Sequence, residues 1–434
     1  MRNYKILRVS HFYILSAITP VIKKYPDFDK LSYAGQKSIL LKEKVYNCAA
    51  FSNAMQKIGN ESVDIFYDLE KMQKRWAAEN DLEYDEATWK EEILLEQIKA
   101  EKPDVIFFQH NIPFKLDVIS SLKTLVPSIK LIVLHFAHLG ENAWPGYADL
   151  ILLGTPGLVH EFQKAGLKPR LFYHYFDEGI CSLISEKPNE EKLPITFVGS
   201  SGFGFGPLHA DRYWTLHKLL KETPMEAWVW EPRIPNLFET IKNKKFLRDK
   251  CIQFILSWPN FFLKNLKMNV FVPATVRNLA DDASKMKVHY GEFVVPKMRL
   301  QDLYKSKCYS GLSGLDYYHV MANSKISFHK HGVPSKKPGD KEFGNIGAIR
   351  LFEATGFGSC LLTDTGPNMP DLFDEGKEIV TYKTTDEAKD RISYLLENEK
   401  ERLSIAIAGR KRTLRDHTAN NRCIQLHDWI NNKI

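Results

Sequence analysis

Short, continuous apolar runs alternate along this chain with segments whose apolar positions recur at helical spacing. Met1–Val9 reads as a first strand, and no long apolar region of the kind a secretory signal needs follows it. Lys44–Gly59 has helical spacing, Val63–Tyr67 is a short strand, and Trp89–Glu101 is an amphipathic helix. Lys102-Pro103-Asp104 then turns into the buried strand Val105–Gln109. Helix Leu116–Leu125, strands Lys130–Leu134 and Leu150–Leu153, and helix Pro156–Ala165 complete the first half. Strand runs this uniformly apolar, separated by helices, predict a parallel sheet covered on both faces.

The same alternation restarts after the charged stretch Ser185–Lys192, which reads as a linker. Strand Pro194–Gly199 leads into the glycine-rich loop Gly199–Gly206 and helix Asp211–Lys221, followed by strand Met225–Trp230. After an interruption the pattern resumes with strands Ser324–His329, Cys360–Thr363 and Glu378–Tyr382. Helices are expected at Asp386–Asn398, Lys400–Arg415 and Thr418–Ile434. The pattern is α/β with two similar halves, as expected for a chain of 434 residues, which exceeds one ordinary core.

Charge changes this picture at one place. The net charge is +7, and Arg233–Lys297 alone holds twelve Lys/Arg against five Asp/Glu, a surplus equal to that of the whole chain. This interruption contains the basic pattern Ile241–Arg248 and the aromatic run Phe254–Leu263. Cationic residues beside aromatic anchors suit an anionic membrane surface through 241–267; the plainer alternative packs the aromatics inside and solvates the lysines. No nucleic-acid module accompanies the charge, so a nucleic-acid partner is not expected. No run reaches the ~20 apolar residues of a membrane span. The six cysteines are scattered without a C-x-x-C pair, which fits reduced thiols and a cytoplasmic protein.

Candidate chemistry concentrates in Gly344-Asn345-Ile346-Gly347-Ala348-Ile349-Arg350-Leu351-Phe352-Glu353-Ala354. A glycine-bearing loop enters a helix carrying Arg350 and Glu353 three residues apart, hence on one face. Such a loop offers backbone N–H groups and a helix N-terminus to an anion. Arg350 suits phosphate and Glu353 suits ribose hydroxyls, so the unit reads as a nucleotide-diphosphate site. Further on stand Leu362-Thr363-Asp364, Leu372-Phe373-Asp374-Glu375-Gly376-Lys377-Glu378, Ala408-Gly409-Arg410 and His417-Thr418…Arg422.

In their order and spacing these motifs resemble the nucleotide-binding half of GT-B glycosyltransferases, closest to the CgeB-like members of the group-1 branch. The resemblance implies two Rossmann-like domains facing each other across a cleft, with a C-terminal helix crossing back to the first. The expected boundaries are 1–184 for the acceptor side, 193–416 for the nucleotide-sugar side with the insertion at about 233–297, and 417–434 for the crossover helix. It implies a transferase that uses a nucleotide-diphosphate sugar as co-substrate, without a metal or other cofactor. A glycan or lipid-linked acceptor, in bacterial surface-glycan assembly, would be the second substrate. A lipid-linked acceptor would place the protein peripherally on the inner membrane face. Two alternatives stay open: a sugar-nucleotide epimerase of the same fold, and a non-catalytic module that keeps the nucleotide pocket.

The expected donor-side set is Gly199, Ser200, Arg212, His329, Lys330, Asn345, Gly347, Ala348, Arg350 and Glu353. Gly199-Ser200-Ser201 follows a strand and precedes a helix, which suits backbone contact with a diphosphate, although it matches neither a Walker loop nor a strict G-x-G-x-x-G. Arg212 is a companion one turn into the next helix. Ser327-Phe328-His329-Lys330-His331 ends another strand as a cationic cluster suited to leaving-group charge. Its H-x-H spacing without a carboxylate is poor evidence for a metal. Gly314-Leu315-Asp316-Tyr317-Tyr318 resembles a recurrent segment of the CgeB-like group, with no role derivable from the residues.

On the acceptor side, His135 and His138 form an H-x-x-H at a strand end near the expected cleft, and His138 is the catalytic candidate, as acid/base or sugar contact. Glu141 and Asp149 are lesser carboxylate candidates. Group-1 retaining enzymes commonly carry Glu-x7-Glu, but eight residues before Glu353 stands Asn345. An amide can bind sugar hydroxyls but cannot balance an oxocarbenium charge, so the anomeric outcome is open. Asp27-Phe28-Asp29 is a D-x-D in a polar, proline-containing segment and reads as coincidental.

Overall fold

The computed structural model describes residues 3–11, 18–45, 49–109, 114–136, 145–184, 191–204, 207–233, 296–332 and 347–434. In the first half, β1 (Lys5–Ser10), β2 (Glu61–Phe66), β3 (Val105–Gln109), β4 (Leu131–Phe136), β5 (Leu150–Leu153) and β6 (Arg170–Leu171) form one sheet. Its order is β2-β1-β3-β4-β5-β6 and every pairing is parallel. Helices α1 (Ala50–Lys57), α2 (Trp89–Glu101), α3 (Leu116–Leu125) and α4 (Pro156–Lys164) cover it. Alternation along each strand divides the side chains between two cores. Val9, Ile106, Phe108 and Leu134 face α2, α3 and α4. Ile6, Phe107 and Val133 face Phe51 and Met55 of α1. Burial on both faces is why these strands read as unbroken apolar runs.

The second half repeats the plan with β7 (Leu193–Ser200), β8 (Met225–Trp230), β9 (Cys308–Ser310), β10 (Ser324–His329), β11 (Cys360–Asp364) and β12 (Val380–Tyr382). The order β12-β11-β10-β7-β8-β9 is again all parallel. Strand order reverses between β7 and β10, where open α/β sheets form a ligand crevice. Helices α5 (Pro207–Glu222), α6 (Leu315–Ala322), α7 (Ile349–Gly356), α8 (Thr385–Glu397) and α9 (Glu399–Asp416) pack around it.

The last helix, α10 (Ala419–Asn431), leaves this half and crosses back. The Phe176 N–H donates to His417 O and the Ala419 N–H donates to Phe176 O, both at 2.8 Å. Thr418 and Asn421 then close a capping box that starts the helix. Ala419, Cys423, Leu426 and Ile430 are buried in the first half's core beside α1. Each of the two larger side chains contributes about 1.5–3 kcal/mol by burial, enough to hold the crossing in place.

Some elements differ from the periodic reading. The helix expected over Lys44–Gly59 starts at Ala50, and β12 starts at Val380, where the Glu378 carboxylate turns back to accept from the Asp374 N–H at 2.9 Å. β6 and β9, at two and three residues, are too short to show a period. The linker residues 185–190 and nearly all of the basic insertion, with its proposed membrane contact, lie outside the described residues. No helix among the described residues is long and apolar enough to cross a membrane.

Candidate functional site

The strand reversal brings three chain segments together. β7 ends at Gly199-Ser200, β10 ends at His329, and α7 begins at Ile349 after Gly347 and Ala348. Ala348 is the N-cap and supplies no side-chain bond; the Leu351 N–H donates back to Ala348 O at 3.3 Å, and the Ile349 and Arg350 N–H groups have no partner among the described residues and suit a ligand. A cavity of about 140 Å³ opens here, walled by Val198, Gly199, Trp230, Tyr317, Arg350 and Glu353.

Arg350 and Glu353 share one helix face, as their spacing predicts, with Arg350 Nη1 3.8 Å from Glu353 Oε2. The third member of the set comes from α6. The Tyr317 hydroxyl donates to Glu353 Oε2, and the Arg350 guanidinium lies 4.7 Å from the centre of the Tyr317 ring. Burial pushes the Tyr317 phenol well above its ordinary value, with the Glu353 charge adding to the effect, so the phenol remains a donor. For Arg350, burial opposes the charge but Tyr317 and Glu353 outweigh it, so the guanidinium stays charged. Glu353 is only 4% exposed. A carboxylate so held presents an acceptor in one orientation at the cavity wall. Arg350 also reaches the β7 end: a Cβ on Gly199 would stand in ordinary contact with its Nη2, at 3.4 Å.

The end of β10 is more heavily engaged than a free cationic cluster. His329 is buried and driven well below its ordinary value by burial and by His331, 4.4 Å away between ring centroids, so it is neutral near pH 7. His331 Nδ1 lies 2.7 Å from Asp364 Oδ1, and its backbone N–H donates to the same carboxylate. Burial alone would raise Asp364, but the hydrogen bond with His331, with Lys330 adding to it, outweighs that and holds the carboxyl well below the usual range. Lys330 Nζ is 2.9 Å from Asp211 Oδ2 and 5.9 Å from the Tyr382 ring centre. Arg212 donates from Nε to Lys330 O at 2.9 Å and from Nη1 to Ser200 O at 3.3 Å, bracing the ends of β10 and β7 against each other. Burial pulls its guanidinium down to about 10, still charged at neutral pH. The cationic character at this strand end therefore rests on Lys330 and Arg212, with His329 contributing none.

The first half meets this site along a tight seam. A Cβ on Gly347 would stand 2.8 Å from Gly154 O, at the end of β5. Gly314, with φ +64°, adopts a backbone that side chains rarely take, and a Cβ would stand 2.7 Å from Glu43 O. The Gly154 N–H donates to Phe136 O at 2.8 Å, so the end of β4 lies beside the residue that touches Gly347. His138 and Glu141 follow that strand end and lie outside the described residues, as does Asn345.

His135 does not join the cleft. It is 2% exposed, packed against Phe107, Phe172 and His174, and burial drives its imidazole down to about 3. It is a neutral core residue. Asp149 also falls elsewhere: it precedes β5, at the opposite end of the sheet, where it accepts from the Ile132 N–H at 2.7 Å and pairs with Lys123 at 2.8 Å. Asp27 and Asp29 form exposed ion pairs with Lys30 and Lys71. Sequence reasoning missed Tyr317 as a site residue, although it quoted the Gly314–Tyr318 segment; its hydroxyl reaches a carboxylate 36 positions on. Trp230 reads from the sequence only as a strand end.

Residues 281–428 match the protein family described as "Glycosyl transferase-like". No curated protein matches the sequence. Among solved structures, the chain is similar to a glycosyltransferase from Rickettsia africae, at 10% identity and TM-score 0.52 over 100% of this chain and 99% of that one. It is similar to Anabaena HepE in complex with UDP and glucose, at 10% identity and TM-score 0.50 over 99% and 100% of the two chains. An alpha-glucosyltransferase in complex with UDP-glucose and DNA containing an abasic site is similar at 11% identity and TM-score 0.50, over 99% and 100%. Together with the two parallel six-stranded sheets and the crossover helix, these likenesses establish the GT-B fold.

Proposed function

We propose that the chain is a glycosyltransferase of the CgeB-like branch, moving a sugar from a nucleotide-diphosphate donor to a glycan or lipid-linked acceptor. The observation that carries this reading is the meeting of Arg350, Glu353 and Gly199 around one cavity at the strand reversal of the second sheet. In this reading Glu353 accepts from the ribose hydroxyls. Arg350, the first-turn N–H groups of α7 and the Gly199-Ser200 turn meet the diphosphate. Placing fixed positive charge where the leaving group develops negative charge is the main electrostatic work of such a transfer. Arg350, Lys330 and Arg212 supply that charge without a metal. His138 acts from the acceptor side, with residues 1–184 as the acceptor domain and 193–416 as the donor domain. The similarity to proteins solved with UDP or UDP-glucose supports a nucleotide-sugar donor.

Thermal-shift screening against a panel of nucleotide sugars and bare nucleoside diphosphates tests this directly. At least one donor is expected to stabilise the protein, and release of its nucleotide should be abolished by Glu353→Ala and strongly reduced by His138→Ala. A protein indifferent to every nucleotide would refute the reading. Binding without turnover on any acceptor would favour the non-catalytic module.

A further inference from the structure

We infer that the outward face of α9 is a docking surface for an anionic lipid bilayer, on which the protein adsorbs peripherally through aliphatic side chains set among cations. This face lies apart from the candidate site.

A surface helix normally turns its apolar positions inward, and α9 carries them outward as well. Arg402, Ile405, Ala406, Gly409 and Thr413 are buried against the second half. On the opposite face Leu403, Ile407 and Leu414 are 49%, 68% and 40% exposed. Their spacing aligns them in one stripe, about 16 Å long at 1.5 Å per residue. Single exposed aliphatics are ordinary on a surface, whereas an aligned group marks a contact site. The helix cannot roll to bury the stripe. A Cβ on Gly409 would stand 2.3 Å from Glu378 O, so the inward face is already seated on its own domain. Thr413 Oγ1 lies 2.6 Å from Thr355 Oγ1, which pins α9 to α7.

Charge decides the occupant. With 3.6 residues per turn, Arg410 falls within the stripe, and Lys400, Lys411 and Arg415 follow one flank. All four are exposed. Lys400, Arg410 and Lys411 form no ion pair among the described residues, while Arg415 pairs with Asp416 at 2.7 Å. The acidic groups of the first turn are engaged locally: Glu399 pairs with buried Arg402 at 3.0 Å, and Glu401 accepts from the Tyr394 hydroxyl at 2.6 Å. Aliphatic carbon among unneutralised cations suits the boundary of an anionic bilayer, with the side chains at the acyl level and the cations among headgroups.

A protein partner fits this face less well. One side of an 18-residue helix, about 27 Å by 10 Å, is well short of the ~800 Å² that each partner buries in a stable complex. A second copy would also set like cations against each other across a two-fold axis.

Vesicle flotation with the full-length protein tests the surface, using phosphatidylcholine alone and an equimolar mixture with phosphatidylglycerol. Binding to the anionic vesicles is expected to be at least about tenfold stronger than to the neutral ones, and to weaken as salt is raised. Leu403→Ser/Ile407→Ser should weaken it at least about tenfold. Lys400→Ala/Lys411→Ala should weaken it about 25-fold, at roughly fivefold per cation. Both variants should keep the parent's melting temperature, because the replaced side chains face solvent. Equal binding to the two vesicle types, or no binding to either, would overturn the proposal. So would parent-level binding by both variants, which would move the contact elsewhere, such as to the basic insertion. Loss in the lysine variant alone would mark a site for soluble polyanions and overturn it too. A dimer in sedimentation that Leu403→Ser/Ile407→Ser dissociates, with no vesicle binding, would assign the face to a second copy instead.

Discussion

Tyr317→Phe removes one oxygen from the candidate site and tests whether Glu353 is positioned from outside its own helix. The substitution keeps the ring beneath Arg350, 4.7 Å from the guanidinium, so the cation–π contact survives. What disappears is the hydrogen bond to Glu353 Oε2. Because Glu353 is only 4% exposed, water does not readily take the place of the phenol. A hydrogen bond to a charged, buried acceptor is worth about 1.5–3 kcal/mol, and that much stability should be lost. Nucleotide affinity should fall by less. A carboxylate no longer held must be ordered by the ligand, at about 0.5–1.5 kcal/mol for one long side chain, which is about two- to tenfold in Kd. Calorimetric titration with the nucleoside diphosphate identified in the screen reads the second quantity, and denaturant unfolding reads the first. A cycle with Glu353→Gln isolates the pair: a phenol donating to a neutral amide oxygen contributes only about 0.5–1.5 kcal/mol, so a coupling near 1 kcal/mol is expected. Unchanged affinity together with unchanged stability in Tyr317→Phe would refute the claim that this hydroxyl holds the carboxylate.

Three other outcomes follow from the structure. Burial lowers His417 from 6.5 to about 4, and burial lowers His209 likewise to about 4. Between about pH 6.5 and pH 4 the unfolded chain binds protons that these buried imidazoles refuse, so stability is full above 6.5 and falls as the pH drops through that window. His417 alone contributes roughly 3 kcal/mol to the loss, and His417→Gln, which keeps a donor and an acceptor, should flatten the decline in melts recorded across that range. Gly314→Ala should destabilise by about 1–3 kcal/mol, because the substituted residue would be held at φ +64° with its Cβ 2.7 Å from Glu43 O; a melting temperature equal to the parent's would contradict this. Asp316→Asn cuts the Lys24–Asp316 pair, whose side chains are 39% and 50% exposed, and should change stability by no more than about 1 kcal/mol in the same measurement.

What could be read ahead of the structure follows a physical dividing line. Strands buried on both faces announce themselves as apolar runs, which is why β3, β4, β5, β7, β10 and β11 were all expected near their observed places. A two-residue edge strand such as β6 has no period to detect. The Arg350–Glu353 pair was legible because three residues along one helix is a local relation. Tyr317 was not, because its partner is set by how α6 packs beside α7, and no spacing rule links the two. His135 misled for the converse reason: a histidine at the end of a strand has the same local sequence whether its ring enters a cleft or a core, and here Phe107 and Phe172 close around it.

The His417-Thr418…Arg422 motif bears on the candidate site without belonging to it. Arg422 donates to His417 Nδ1 at 3.0 Å, which leaves the ring proton on Nε2, directed at Leu372 O, also at 3.0 Å. The imidazole ring lies 4.7 Å from Phe352 and 5.4 Å from Phe373 between centroids. Phe352 is the residue immediately before Glu353 on α7, so the imidazole packs against the helix that carries the candidate carboxylate. One residue further on, Thr418 caps the helix that crosses back to the first half. The motif therefore couples two requirements of a two-domain fold at one point: the rotational setting of α7 and the start of the crossing. A change that kept the capping box but lost the His417 ring would leave α10 docked while freeing the Phe352 face. Its effect should then appear as weaker nucleotide binding with the crossover contacts intact.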